Sequence, residues 1–402
     1  MEKELMEKEQ IVEQVCKSLG NSHFGDVMVV GGGISGIQAA LDLGTAGFKV
    51  YFVEKSPTVG GKMAHLDKTF PTNDCSMCIE SPKFVECKRH PNIEMITYAE
   101  VESVKGKAGD FTVTVVKKPR YVDESKCTGC TVCVEYCPVK YPDQFNQRIS
   151  NNKAIHIYFA QAIPLVTYVD ESCLYLKEGK CQICLAACKT NAIDFTQTPE
   201  YIDIKVGAII VSPGIEPFDP KLRAEYRYGE FVNVVTAFDY ERLLCATGPY
   251  EGEILRASDK KHPHNIAWIH CVGSRQVNSN QRLLPREGEA GYPLAGGALL
   301  VEGATRAPVV EGGHSYCSAV CCTYTQKQVI LTKDHDEGAK CTIFHNDIRS
   351  YGKDFERFYQ RTEALPGIRF IRSYVSIERE DPVTKNVTIR YSTPDDGVKE
   401  EE

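Results

Sequence analysis

The residues best placed to do chemistry are cysteines, and they come in two runs. The first, CTGCTVCVEYCPV, reads Cys127-x2-Cys130-x2-Cys133-x3-Cys137-Pro138, the spacing of a loop that holds a four-iron cluster. Three closely spaced thiolates wrap one cubane, while the fourth, followed by Pro138, is turned away and ligates a second cluster. The second run supplies the exchange: Cys173, then Cys181-x2-Cys184-x3-Cys188, with a longer gap of seven residues between Cys173 and Cys181. The expected sets are therefore Cys127, Cys130, Cys133 and Cys188 for one cluster, and Cys173, Cys181, Cys184 and Cys137 for the other. Zinc prefers two separated CxxC pairs. Eighteen cysteines in a chain that opens on a charged amphipathic stretch, with no signal-peptide core, read as metal and redox ligands in the cytoplasm rather than as disulfides.

A second constellation precedes the cysteines. GDVMVVGGGISGIQAALDLGTAGFKVYFVEK reads strand, glycine-rich turn, helix, strand. In the turn Gly31-Gly32-Gly33-Ile34-Ser35-Gly36, Gly31 permits the bend, Gly33 lets backbone approach a pyrophosphate, and Gly36 lets the helix pack on the strand. The helix N-terminus then faces phosphate with the positive end of its dipole. Glu54 closes the second strand, 21 residues after Gly33, where an acid binds ribose hydroxyls. The motif alone does not separate FAD from NAD. The following Glu54-Lys55-Ser56-Pro57-x-x-Gly60-Gly61-Lys62 resembles the flavin-side segment of two-dinucleotide flavoproteins of the thioredoxin-reductase and glutathione-reductase type. Val206 to Gly214 resembles the strand that returns to FAD in those families, with Ser212-Pro213-Gly214 at its end. Lys55 and Lys62 can stabilise a reduced flavin or a phosphate; surface solvation is the plain reading for each.

Other candidates are less determined. Cys75-x2-Cys78 fits a redox dithiol, a pair of cluster ligands or two plain thiols; Cys87 and His90 fit a metal site, with a turn residue the plain reading of a lone His before Pro91. Cys271 ends the strand NIAWIHCVGSR, where the nicotinamide domain of such flavoproteins would carry a second GxGxxG; no second fingerprint exists in the chain. Cys317-x3-Cys321-Cys322 follows, either a further thiolate site with Cys271 or a vicinal buried pair. Residues 93–118 alternate and read as antiparallel strands.

Hydrophobic content of 42% and charged content of 25% suit a globular chain, and 402 residues allow two to three domains. A net charge of −7 argues against a nucleic-acid footprint, and no apolar run reaches membrane-spanning length.

FPTNDCSMCIESPK, RYVDESKCTGC, QAIPL, FDYERLL, CVGSR, YCSAVCC and NDIRSYGKDFERFY together resemble the A-type subunits of the heterodisulfide reductase family, oxidoreductases acting on sulfur groups. The resemblance implies an α/β chain: a thioredoxin-reductase-like, Rossmann-type FAD/NAD(P)-binding fold with an inserted two-cluster ferredoxin-like α+β domain. The expected boundaries are an N-terminal helix over 1–24, the FAD fold over 25–120 and 199–264, the ferredoxin-like insert over 121–198, and a second α/β domain over 265–402. A flexible insertion is expected at 278–313, and the chain reads as a short or C-terminally truncated member. FAD and [4Fe-4S] clusters are the implied cofactors, with a third cluster on Cys271, Cys317, Cys321 and Cys322. The implied partners are B- and C-type heterodisulfide reductase subunits, a hydrogenase or formate dehydrogenase input module, and ferredoxin, in a hetero-oligomer that dimerises through this chain. The implied activity is electron transfer by flavin-based bifurcation. The alternatives are an FAD dithiol–disulfide reductase using Cys75 and Cys78, and a cluster-bearing scaffold without flavin.

Overall fold

The computed structural model describes residues 25–275, 292–293, 299–300, 313–393 and 397–402. The expected N-terminal helix lies outside the described residues, as does nearly all of the expected insertion at 278–313. The chain divides into two compact units, 1–66 with 75–215, and 67–74 with 216–402.

The first unit begins with the apolar strand β1 (Val27–Val30), the glycine turn and helix α1 (Ile34–Thr45). Ile37, Ala40 and Leu41 recur at helical spacing and are buried against the sheet. Strand β2 (Val50–Glu54) pairs parallel with β1, Val27 opposite Val50. Helix α2 (Ser76–Arg89) carries Ser76, Glu80, Phe84 and Cys87 on its buried stripe and ends at His90. Strand β3 (Ile93–Thr97) then pairs parallel with β2, Val50 opposite Ile93. The alternation over 93–118 predicts antiparallel strands throughout, and here that expectation is corrected. A helix crossing between β2 and β3 brings the chain back parallel, and only β4 (Ala99–Lys107) and β5 (Asp110–Lys117) form the antiparallel pair.

After Lys117 the chain leaves for the cysteine-rich insert. Its elements are short: α3 (Val132–Tyr136), the hairpin β6 (Lys140–Pro142) and β7 (Asn151–Lys153), the pair β8 (Ile155–His156) and β9 (Tyr168–Val169), then α4 (Leu174–Glu178) and α5 (Ile183–Ala187). Arg120 anchors the exit. It is 2% exposed; its Nη2 donates to Pro57 O at 2.6 Å and to Thr97 Oγ1 at 2.5 Å, and its Nε donates to Glu124 Oε1 at 2.7 Å. Insert and nucleotide fold share one core, in which Phe145 and Phe159 pack with Phe84 and Val59. The chain returns through β10 (Glu200–Val206), antiparallel to β5, and β11 (Ala208–Val211), parallel to β1. The main sheet therefore runs β11-β1-β2-β3.

The second unit has its own parallel sheet. Helix α6 (Ala237–Leu244) starts with a capping box between Thr236 and Asp239. Strand β12 (Asn265–Ile269), helix α7 (Cys321–His335), strand β13 (Lys340–His345), helix α8 (Phe355–Glu363) and strand β14 (Ile368–Arg372) follow, with sheet order β12-β13-β14. An antiparallel sheet of β15 (Val375–Glu380), β16 (Val387–Thr393) and β17 (Gly397–Glu401) closes the unit. The unit is α/β, where a second α/β domain is expected over 265–402. Its extent differs from expectation: residues 216–264 group with it and not with the FAD fold. Core residues Tyr226, Phe231 and Val234 pack with Phe344 and Ile377, which explains the shift. The buried ion pair Lys327–Glu241 also ties α7 to α6, with Gln328 Nε2 donating to Glu241 Oε1 at 2.8 Å.

Candidate flavin and cluster sites

The glycine turn is built as the sequence requires. Gly31 has φ +110°, a region closed to side chains, and a Cβ there would lie 2.1 Å from Ser212 O. A Cβ on Gly36 would lie 1.9 Å from Gly31 O, so helix α1 reaches the turn only because that atom is missing. Gly33 bridges Gly60 in parallel fashion, and a Cβ on Gly61 would sit 2.7 Å from Gly33 Cα. The two glycine segments thus form one cradle of bare backbone, with Ile34 and Ser35 opening the helix beside it. Such a cradle fits the pyrophosphate and flavin side of FAD.

Glu54 is buried, and its carboxylate accepts from Gly32 N and, at 2.7 Å, from Ser56 N. It therefore ties the first glycine turn to the start of the segment after β2, while Gly60 N donates to Gly32 O at 2.8 Å, and each carboxylate oxygen keeps a further lone pair for a ribose hydroxyl. Lys55 and Lys62 are exposed beside the cradle. The close approach at the end of β11 is made by Ser212, whose N–H donates to Val30 O at 2.8 Å. Pro213 follows, and Gly214 is exposed with φ +73° and no atom of the chain near a Cβ placed there.

The two cysteine runs are brought together in the insert. Cys133, Cys137 and Cys184 are buried in one core, with Cys127, Cys173 and Cys188 packed against it. One cavity is lined by Cys137, Cys173, Cys181 and Cys184, so the fourth cysteine of the first run faces the second run. On the other side, Cys133 lies among Cys127, Cys188 and Cys130, whose charge once ionised would raise it further. Cys137 of the first run thus lies with the second run, and Cys188 of the second lies near the first. Among the described residues no three Cys, His, Asp or Glu side chains close on a point as a single ion requires; four thiols around a cavity suit the larger cubane. Burial pushes the free thiols up, Cys133 to about 11 and Cys184 to about 12, so these thiols stay protonated until a metal takes the proton's place.

A third group sits in the second unit. Cys271 follows β12 with φ +61°, and Cys321 and Cys322 open α7. Cys321 accepts hydrogen bonds from the Cys271 and Cys322 thiols, which lowers its own thiol and raises theirs. Cys317 lies close enough to raise Cys271 further. These four occupy the strand-to-helix turn where a dinucleotide-binding domain carries its phosphate loop. A set of four thiols there fits a cluster.

The remaining candidates separate. Cys75 caps α2, with Cys78 N donating to its Sγ at 3.2 Å; both are exposed. The Cys75 hydrogen bond raises the Cys78 thiol. Cys87 is a core thiol donating to Ile37 O at 3.8 Å, and His90 Nδ1 accepts from Asn92 N at 3.2 Å in the turn after α2. Neither joins Cys75 and Cys78. Thr167, Thr190 and the buried Glu80 are not marked by any motif; they emerge only from packing.

Comparison with known proteins agrees with this geometry. Residues 26–85 match the family model for FAD dependent oxidoreductases, and residues 120–140 match the 4Fe-4S binding domain. The chain is 46% identical over 364 residues to an A-type iron-sulfur subunit of the CoB–CoM heterodisulfide reductase of Methanopyrus kandleri, covering 90% of this chain and 50% of that protein. It is 43% identical over 364 residues to the corresponding iron-sulfur subunit of Methanocaldococcus jannaschii, again covering 90% and 50%. A relative from Methanococcus maripaludis, the A-type subunit of an H(2)/formate:CoB-CoM heterodisulfide,ferredoxin reductase, is 41% identical over 363 residues, covering 90% and 50%. The chain spans about half the length of the curated relatives it matches. No helix among the described residues is long and apolar enough to cross a membrane.

Proposed function

We propose that this chain, a relative of the A-type heterodisulfide reductase subunits over nine-tenths of its length, is the flavin- and cluster-bearing part of such a complex, an oxidoreductase acting on sulfur groups. In this reading a hydrogenase or formate dehydrogenase module feeds it electrons. A disulfide-reducing B-type subunit with its C-type companion, and ferredoxin, take them away by flavin-based bifurcation. The name of the M. maripaludis relative, which joins hydrogen, formate, heterodisulfide and ferredoxin, supports both ends of that path. Bound FAD supplies the exchange between electron pairs and single electrons, and bound four-iron clusters supply one-electron carriers.

The chain's own residues do the placing. The Gly31–Gly36 turn and the Gly60–Gly61 turn present backbone to the cofactor's phosphates, Glu54 ties the first of them to the start of the segment after β2, and Lys55 and Lys62 add positive charge. The crossed thiol sets would hold two clusters in the same unit as the glycine cradle. Cys271, Cys317, Cys321 and Cys322 would hold a third where a nicotinamide would otherwise bind, so electrons enter by cluster.

The observation that carries this reading is the crossing itself: Cys137 faces Cys173, Cys181 and Cys184, beside a fold that carries a dinucleotide cradle. The test is iron and flavin per chain on protein purified without oxygen. About 12 iron and one FAD are expected. About 8 iron with little flavin would leave only the insert assembled and overturn the flavin role.

A further inference from the structure

Between the two cysteine runs lies a segment to which the proposed reading gives no task. At Ile163 it is tied to the flavin-side turn: Ile163 N donates to Thr58 Oγ1 at 2.7 Å, and Val59 N donates to Ile163 O at 3.2 Å. At Leu165 it lies on the first cysteine loop, where a Cβ on Gly129 would be 2.8 Å from Leu165 O. It ends on Thr167, a residue 1% exposed whose hydroxyl oxygen is 3.8 Å from Cys127 Sγ and 3.9 Å from Cys133 Sγ.

In the metal-free chain the Cys133 thiol donates to that hydroxyl. Cluster ligands are thiolates and carry no proton. The Thr167 proton is then the one available to this contact, and the hydroxyl must donate to sulfur. The same set receives a backbone donor, Ala192 N, at 3.3 Å on Cys188 Sγ, with Thr190 Oγ1 at 3.5 Å. The other set is differently surrounded. Cys137 Sγ meets a carbonyl, Val139 O, at 3.9 Å, which has no proton to give. One backbone donor, the Leu185 N–H, serves Cys184, against the several donors around Cys188, and the cavity is otherwise walled by apolar groups such as Ala154, Ile155, Val169, Leu174 and Phe195. Hydrogen bonds to ligand sulfur stabilise the more negative, reduced cluster and raise its potential, whereas an apolar wall disfavours the added charge.

We propose that Thr167 is a positioning residue that donates its one hydroxyl proton to one of the Cys127 and Cys133 thiolates and sets the cluster on Cys127, Cys130, Cys133 and Cys188 at a higher reduction potential than its sister. Electrons that enter the insert then settle on this cluster, at the end of the segment that leads back to Thr58 and Val59. The inference rests on the cluster reading above.

The test is a redox titration of the full chain, followed by low-temperature electron paramagnetic resonance. The signal that Cys127→Ser removes identifies this cluster. Thr167→Val lowers the midpoint potential of that signal and leaves the other unmoved, with iron content unchanged; Thr167→Ser restores it. An unshifted midpoint in fully loaded Thr167→Val overturns the proposal. So does a shift that persists in Thr167→Ser. Loss of iron in both Thr167→Val and Thr167→Ala also overturns it, because the hydroxyl would then be structural. If the unaltered protein shows no four-iron signal, the cluster reading itself has failed, an outcome distinct from these.

Discussion

Glu80 is a carboxylic acid with no exposed surface, and neither of its oxygens has a hydrogen-bond partner. Burial raises its pKa from 4.5 to about 8. The unfolded chain releases this proton near pH 4.5, and the folded chain keeps it until about pH 8. Over that window the folded state binds more protons, so stability falls as pH rises and the loss is complete above the folded value. The loss is on the order of 3–5 kcal/mol. Urea unfolding at both ends of the window should show it, and Glu80→Gln should flatten the dependence. A wild-type slope that survives in Glu80→Gln removes Glu80 as the cause. The glycines give a sharper residue-scale contrast. Gly36→Ala must push against Gly31 O; it should cost about 1–3 kcal/mol and lose FAD. Gly214→Ala meets no atom of the chain and carries the strain of φ +73°, about 1–2 kcal/mol. Thermal unfolding checks both, and flavin absorbance after gel filtration checks Gly36→Ala. The roles of Gly31, Gly33 and Gly36 are legible in the sequence because a missing Cβ acts locally. That no atom of the chain stands near a Cβ on Gly214 is not, since it depends on what the fold places beside it.

At the scale of elements, patterning identifies a segment more readily than its partner. The run IEMIT reads as a strand, yet its parallel pairing with β2 depends on α2, whose residues SMCIESPKFVECKR draw attention first as cysteines. Its Pro82 hides the helix further. The cysteine runs are more legible, because ligand spacing encodes the crossing directly. Arg120 shows what joins these elements: one guanidinium spans β3, the Pro57 turn and the start of the insert. Arg120→Met keeps the bulk, leaves Glu124 only Lys117, 3.6 Å away, and frees the Pro57 carbonyl. It should cost about 3 kcal/mol, at the lower end for breaking a buried pair. Hydrogen exchange should show the lost protection concentrated at 56–60 and 118–124. Uniform loss across the first unit would mean that Arg120 supports the core in general.

At the scale of the whole molecule, the division after Ile215 puts the glycine cradle and both insert thiol sets in one unit and the Cys271 group in the other. Nothing in the composition of 199–264 announces that division; Tyr226, Phe231 and Val234 side with the second unit only because Phe344 and Ile377 are there to bury them. Each unit has its own core and its own thiols, so cofactor loading should separate along the same line. Cys321→Ser removes the thiol that both Cys271 and Cys322 donate to, and should lower iron by about four per chain. Flavin absorbance and the two insert signals should stay as they are. Cys133→Ser should do the converse, taking about four iron from the insert while the Cys271 cluster keeps its spectrum. Because Cys133 and Cys184 share a core, that variant should also broaden the signal of the sister cluster, which Cys321→Ser should leave sharp. If Cys321→Ser instead strips iron from both units, the clusters assemble as one cooperative system, and the division seen in the packing does not govern how the cofactors load.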